Sequence, residues 1–355
     1  MFTITPSQVR NFLMCPYLYK LSREERPRIL VPTSPKAVLG EALHDAVNRF
    51  LYQILNDNPR MKKLRQKRLA EGKNDRYFYL TSSGFLKFCA GLIIASLEGE
   101  SSTSHLVRNK RPIRWPEDAS PKQIEELKER LLLTGLAMAR DYYIANQEKP
   151  APFLREQPLR ASIRQEVGSG VVLSGRIDQA RKNSFDRVYI IDLKFGFDGF
   201  EWQLSKATDE ATRKTIVLTQ LETDPQIIAY WILYEKKYGT PPHRVGFYYL
   251  QSGQYYFVEC TAGQIDNFFE IIRSILISGE KENFPPLGMY HGSCRYCAYS
   301  GACKHYQQAK ARKVFTIEEA EECLPQSESL MRQLENELKE INYEEQRLKL
   351  TRQTR

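Results

Sequence analysis

The chain has 355 residues, with 52 Lys and Arg against 43 Asp and Glu, for a formal net charge of +9. Hydrophobic residues make up 42%, aromatics 11%, and there are only 19 Gly and 18 Pro, which excludes collagen-like, mucin-like and wholly disordered chains. The length can bury a large core in two domains, or in one domain with insertions, and the basic balance permits a polyanionic partner without naming it.

Seven cysteines, an odd number scattered over a long chain, argue against a secreted disulfide framework. The start, MFTITPSQVRNF, lacks the charged end and apolar stretch of a signal peptide. The best apolar run, from Gly91 to Leu97, is far too short to span a bilayer. These features predict a cytoplasmic protein with no membrane partner.

In chain order, Thr5-Pro6-Ser7 predicts a capped helix start, with a break near Cys15-Pro16. Residues 39–55 have helical apolar spacing, with Leu39, Leu43, Val47, Phe50 and Leu51 on one face. Residues 58–76 turn basic: Arg60, Lys62, Lys63, Arg65, Lys67, Arg68, Lys73 and Arg76 stand against only Glu71 and Asp75. That run reads as a solvated helix face, a mobile insertion or a nucleic-acid clamp. Residues 101–121 read as a loop, and 122–147 as a strong helix. The period then changes. Residues 159–164, 171–180 and 187–194 are short and β-branched, which predicts consecutive strands. A helix over 225–238, a strand pair over 245–250 and 255–260, and a helix over 262–278 complete an α/β (α+β) core. A Glu-rich helix is predicted over 316–350, either packed on its own domain or forming a short coiled-coil contact.

The most informative segments are Ser174-Gly-Arg-Ile-Asp178 and Val188-Tyr-Ile-Ile-Asp192-Leu-Lys194. Asp192 and Lys194 are two residues apart on a strand, so they leave the same face. Asp178 is read as a strand end that a hairpin would bring to Asp192. Two carboxylates there repel unless a cation bridges them, and oxygen ligands suit Mg²⁺ or Mn²⁺. An exposed ion pair is the simpler use of Asp-x-Lys. His44 stands one helical turn beyond Gly40 and offers a nitrogen ligand, while Gln226 and Tyr230 share a helix face.

Taken in order, GEALH (40–44), GRID (175–178), IIDLKFG (190–196) and QIIAY (226–230) resemble the RecB-like branch of the PD-(D/E)XK nuclease superfamily over roughly residues 1–305. The likeness extends to the AddB-type nuclease domain and to CRISPR-adaptation nucleases. It implies a restriction-endonuclease-like fold, a mixed central sheet flanked by helices. It also implies His44, Asp178, Asp192 and the Leu193 carbonyl as metal ligands, Lys194 as the catalytic lysine, and Gln226 and Tyr230 as site-shaping or DNA-contacting groups. Some relatives continue after GRID with Arg-x-Asp; here Gln179-Ala180-Arg181 follows, so an acidic role there is absent. The domain expectation is a nuclease domain over 1–312, with a basic helical insertion at about 52–121, and an acidic helical tail over 313–355.

Cys294, Cys297 and Cys303 form a C-x2-C-x5-C group whose spacing points to metal ligation, with zinc a contender and His305 a possible fourth ligand. Iron–sulfur members of the branch that the chain resembles carry one further cysteine ahead of the GxxxH helix, and Cys15 fills that place. The resemblance therefore implies a 4Fe–4S cluster on Cys15, Cys294, Cys297 and Cys303, structural in role. Cys89 and Cys260 read as buried small hydrophobes, and nothing marks them or Cys323 as nucleophiles.

The expected function is a Mg²⁺- or Mn²⁺-dependent DNA nuclease, an exonuclease on single-stranded ends in repair or recombination. The competing readings are a silent DNA- or partner-binding module and a CRISPR-adaptation processing nuclease. Tyr17, Tyr19 and Trp202 are possible base-stacking groups. No Gly-x4-Gly-Lys-[Ser/Thr] loop is present, so any helicase would be a separate partner. Residues 313–355 hold seven Lys and Arg against ten Glu, a net −3 that leaves +12 on the first 312.

Overall fold

The computed structural model describes residues 2–24, 34–57, 59–72, 82–98, most of 113–149, 151–168, 170–196 and 207–287, with single positions that include Leu204, Cys294, Cys297, Tyr299 and Cys303. The basic residues 73–76, most of the loop 101–121, Trp202, His305 and the helix expected over 316–350 lie outside the described residues. Among the described residues the chain divides into two compact units, one of residues 1–31, 152–249 and 254–313, the other of residues 32–151 and 250–253.

The first unit holds all six strands of a single mixed sheet. In chain order its elements are β1 (Phe2–Ile4), α1 (Pro6–Met14) and α2 (Pro16–Glu24), with the rest of the unit resuming after residue 151. The second unit contributes α3 (Pro35–Asp57), α4 (Pro59–Ala70), α5 (Ser82–Leu97) and α6 (Pro121–Asn146). The first unit then continues with β2 (Leu154–Ser162), α7 (Arg164–Val167), β3 (Val171–Lys182), β4 (Val188–Lys194), α8 (Glu210–Thr223), α9 (Pro225–Tyr238), β5 (Arg244–Tyr249), β6 (Gln254–Val258) and α10 (Ala262–Glu280).

Local chemistry sets the helix starts. Thr5, Ser120 and Thr261 each form a capping box with a Gln three residues on, satisfying backbone donors that the first turn leaves open. Cys15 is extended (φ −169°), so α1 stops there and Pro16 opens α2, as the Cys-Pro pair predicts. The central strands β3, β4 and β5 are buried in continuous runs, and Leu173, Ile177, Ile190, Val245 and Phe247 pack with Val217, Leu221, Ile227, Leu233, Phe268 and Ile272 from the helices.

Several elements differ from the sequence expectation. β1 was not foreseen, because three residues are too few to show a period. The strand expected at 159–164 is β2, which begins five residues earlier and ends at Ser162; α7 then ends on Gly168 at φ 70°. Asp178 does not end its strand, since β3 runs on to Lys182. The polar helix α8 shows no apolar period in the sequence; Asp209 caps it through the Thr212 N–H at 2.7 Å, which holds the Asp209 carboxyl below its usual range.

In the second unit Leu39, Leu43, Ala46 and Val47 of α3 are buried, as are Phe85, Cys89 and Ile93 of α5 and Leu131 and Leu136 of α6. Gly135 lets the helices close up: a Cβ there would lie 2.7 Å from both Ile93 Cδ1 and Leu39 Cδ1. Burial pushes the Cys89 thiol far up, consistent with a buried small hydrophobe. No helix among the described residues is long and apolar enough to cross a membrane.

A sharper glycine requirement lies in β5. A Cβ on Gly246 would sit 2.0 Å from the Tyr256 carbonyl oxygen and 2.9 Å from Phe257 Cα, both backbone atoms of β6 that cannot rotate away. Gly246→Ala is therefore expected to lower unfolding free energy by about 3 kcal/mol or more. Gly135→Ala, which meets only side-chain ends, should cost less. Urea unfolding of the two variants checks the order.

Candidate active site

The site originates in how β3 is flanked. β2 pairs with β3 in antiparallel register over residues 172–180. The other edge is shared: β1 runs parallel to residues 171–173, and β4 runs antiparallel to residues 179–182. Between those two partners, residues 174–178 of β3 have no strand on that edge among the described pairs, and β3 and β4 part. Side chains occupy the opening. The Asp178 carboxylate accepts the Leu193 N–H at 3.0 Å, a donor that a β3 carbonyl would otherwise take, and the Tyr230 hydroxyl donates to the Arg176 carbonyl at 2.6 Å.

Asp192 and Lys194 leave the same face of β4, as their spacing requires, and Lys194 Nζ lies 2.6 Å from Asp192 Oδ2. Asp192 is 3% exposed, so this is not the solvated pair that an Asp-x-Lys strand commonly carries. Gln226 binds both partners: its Oε1 accepts from Lys194 Nζ at 2.7 Å and its Nε2 donates to Asp192 Oδ1 at 2.7 Å. The same Nε2 also donates to the Tyr230 hydroxyl at 2.7 Å, and that hydroxyl lies 3.1 Å from Asp192 Oδ1. Burial, and then the Asp192 and Asp178 charges, push the Tyr230 phenol well above its ordinary range, so it stays protonated and able to donate. Beneath the lysine, Phe247 of β5 places its ring centroid 4.7 Å from Nζ.

Helix α9 is held so that Gln226 and Tyr230 arrive together. Asp224 caps it, accepting the Gln226 N–H at 2.7 Å, and Arg10 of α1 donates to both Asp224 oxygens at 3.0 and 2.9 Å. The glycine of GRID has a packing reason: a Cβ on Gly175 would lie 2.9 Å from Leu233 Cδ1 and 3.4 Å from Tyr230 Cε1. Gln179 and Arg181, at the place where some relatives carry Arg-x-Asp, are buried and hydrogen-bond each other at 2.8 Å. By strand alternation they face away from Asp178.

A third carboxylate, unforeseen from the sequence, belongs to the same unit. The β2–β3 register pairs Arg155 with Gln179 and Gln157 with Ile177, so Glu156 stands across from Asp178. Carboxylate oxygens of Glu156 and Asp178 lie within 4.8 Å of each other. Glu156 has φ 45°, and Arg176 Nε lies 2.9 Å from its Oε2. Two like charges opposed on neighbouring strands are destabilising, and an oxygen-only donor set suits a hard divalent cation. The residues therefore fit such an ion. Leu193 is buried on β4 beside Asp192, and His44 is half-buried on α3 of the second unit with the Asn48 amide 3.4 Å from its ring nitrogens.

The sequence profile of the PD-(D/E)XK nuclease superfamily matches residues 3–304. The chain belongs to the PD-(D/E)XK nuclease superfamily. Nucleases of this superfamily hydrolyse phosphodiester bonds with divalent metals, and the mixed sheet flanked by helices accords with its fold. No curated protein matches the chain.

In this PD-(D/E)XK chain all four proposed cluster cysteines are described and lie in the first unit. Cys15 is nearly buried between α1 and α2, with Sγ 4.0 Å from the Pro285 carbonyl oxygen. Burial first, and then the neighbouring Cys294, Cys15 and Cys303 thiols, push the Cys297 thiol up to about 11 against a Tyr299 backbone hydrogen bond that lowers it. Burial, then Cys15 and Cys303, raise the Cys294 thiol as well. Among the described residues, no three cysteine sulfurs lie within 4.8 Å of one another. Tyr19 is core rather than a stacking group: it is 3% exposed and packs on Phe12 and Phe284.

The network predicts how its members separate. Gln226→Ala removes the group that spaces Lys194 from Asp192, and cleavage of DNA should fall about 100-fold in kcat, with KM little changed. Tyr230→Phe leaves the Arg176 carbonyl without its donor and should cost about 1–3 kcal/mol in stability. Steady-state kinetics and urea unfolding read the two effects.

Proposed function

We propose that this chain is a divalent-metal-dependent exonuclease that degrades single-stranded DNA from its ends. The observation that carries the reading is the buried Asp192–Lys194 pair, bound at both members by Gln226, beside the Asp178 and Glu156 carboxylates. Asp178, Asp192 and the Leu193 carbonyl would hold Mg²⁺ or Mn²⁺, with His44 as the nitrogen ligand and Glu156 as an added carboxylate. Once bound, the ion supplies Lewis-acid activation of water and of the phosphoryl oxygen. Lys194 then offsets the negative charge that develops on the attacked phosphate, from a position set by Gln226 and the Phe247 ring. Gln226 keeps one Asp192 oxygen oriented, and Tyr230 fills the opening between β3 and β4 by donating to the Arg176 carbonyl. The RecB-like order of motifs supports the preference for ends and for repair or recombination in the cytoplasm, alongside a separate helicase or repair protein.

The reading has a direct test. With labelled DNA and Mg²⁺ or Mn²⁺, wild-type protein should shorten linear single strands and leave circular single strands intact. Asp192→Asn should abolish cleavage, and Lys194→Gln should lower it by about 10²–10³-fold, while DNA binding in EDTA persists. Cleavage of circles would replace the exonuclease with an endonuclease. Equal cleavage by all three proteins would remove the assigned centre, and binding without cleavage by wild type would favour a silent DNA-binding module.

A structural 4Fe–4S cluster on Cys15, Cys294, Cys297 and Cys303 forms part of the same proposal. Its support is the Cys-x2-Cys-x5-Cys spacing, the rise that the neighbouring thiols add at Cys294 and Cys297, and the presence of all four cysteines in one unit. Protein purified without oxygen should be brown and contain about four iron atoms per chain. Cys15→Ser should lose the colour and lower the melting temperature. A colourless wild-type protein with one zinc per chain would overturn the cluster.

A further inference from the structure

The helix α4 (Pro59–Ala70) carries Arg60, Lys62, Lys63, Arg65, Lys67 and Arg68 in twelve residues, with no acidic residue among them. Lys62, Lys63 and Lys67 are exposed, and no described acidic residue pairs with any of them. Lys63 and Lys67 are four apart, on one face, and with Pro59 and Leu64 they line a hollow of about 430 Å³. Such a helix works against itself. Like charges at that spacing are destabilising, and the positive end of the helix dipole meets Lys62 and Lys63 rather than carboxylates. An external polyanion would relieve this repulsion.

We infer that α4 is a docking helix for the sugar–phosphate backbone of a nucleic acid. Three features select that occupant. Lys63 and Lys67 are separated by about 6 Å along the helix axis, on the order of the distance between neighbouring phosphates of one strand. Leu64 lies between them and is 45% exposed, offering an apolar floor for a sugar or base. A membrane surface fits poorly, because Leu64 and Leu69 project about 140° apart and the cations surround the helix, leaving no apolar face to insert. This inference rests on the DNA-nuclease reading for the identity of the nucleic acid. The contact would be to phosphate and independent of sequence, so it adds affinity without base choice.

The test compares full-length wild type with the triple variant Lys62→Gln/Lys63→Gln/Lys67→Gln. Glutamine keeps helix propensity close to that of lysine, and matching thermal melts verify the fold. Binding of a fluorescein-labelled, mixed-sequence single-stranded oligonucleotide is followed by anisotropy in EDTA between 50 and 200 mM salt. Neutralising three phosphate contacts to a single strand should flatten the log–log salt slope by about 2, so wild type loses about 20-fold more affinity across that range than the variant. Equal slopes and equal affinities would overturn the inference and leave α4 a solvated face. Loss of binding to phosphatidylserine vesicles with DNA binding unchanged would also overturn it. Asp192→Asn separates the two proposals: if it still cleaves like wild type, the catalytic assignment fails, while the salt slopes still decide α4.

Discussion

The structure depends on one strand lending a single edge to two partners. β1 takes the first three residues of β3 and β4 takes the last four, so a short stretch of backbone between them must be satisfied by something other than a ladder. Buried peptide groups do not go unpaired, and here side chains make up the difference. Asp178 answers a β4 amide and Tyr230 answers a β3 carbonyl. The polar residues of the site are thus structural necessities of a split sheet as well as chemical groups. That dual duty explains why carboxylates can stand among apolar strands without unravelling them.

A second constraint is angular. Gln226 must reach a carboxylate and an ammonium at once, with one amide end for each, so α9 cannot rotate or slide by much. Its N-terminus is fixed by Asp224, and Asp224 by a two-pronged contact from Arg10, which lies 214 residues earlier. Gly175 removes the side chain that would hold the helix off the sheet. Chemistry at Lys194 therefore draws on α1, α9, β3, β4 and β5 together, the arrangement expected of a preorganised site on rigid elements.

Much of this was legible in the residues. Asp192 and Lys194 follow from period two, Gln226 and Tyr230 from helical spacing, and the turn at Cys15 from the proline that follows it. The change from helical to strand periodicity near residue 150 marked the core. Glu156 was not legible: its strand carries Pro158 and charged neighbours, so no alternation announces it, and its place opposite Asp178 emerges only from the register. α8 was hidden by its polar composition, although Asp209 three residues before Thr212 is the kind of cap that signals a start. β1 was too short to read, and its partner, β3, is distant in sequence. The basic run at residues 58–76 showed its charge plainly, but only the helix and its exposure give that charge a geometry.

The pairing of Phe2 with Val171 has a consequence for how the protein is made. The first unit is interrupted by the second, so its opening strand and two helices leave the ribosome long before the strand that they join. At ordinary synthesis rates of about 5–20 residues per second, the wait is roughly 10–30 s. Through that interval Ile4, Val9 and Leu18, all interior in the finished fold, have no sheet to cover them. The helices of the second unit, whose contacts are local, can form in the meantime. Birth order and spatial order are therefore inverted for this strand: β1 is made before the second unit and finds its place only after it.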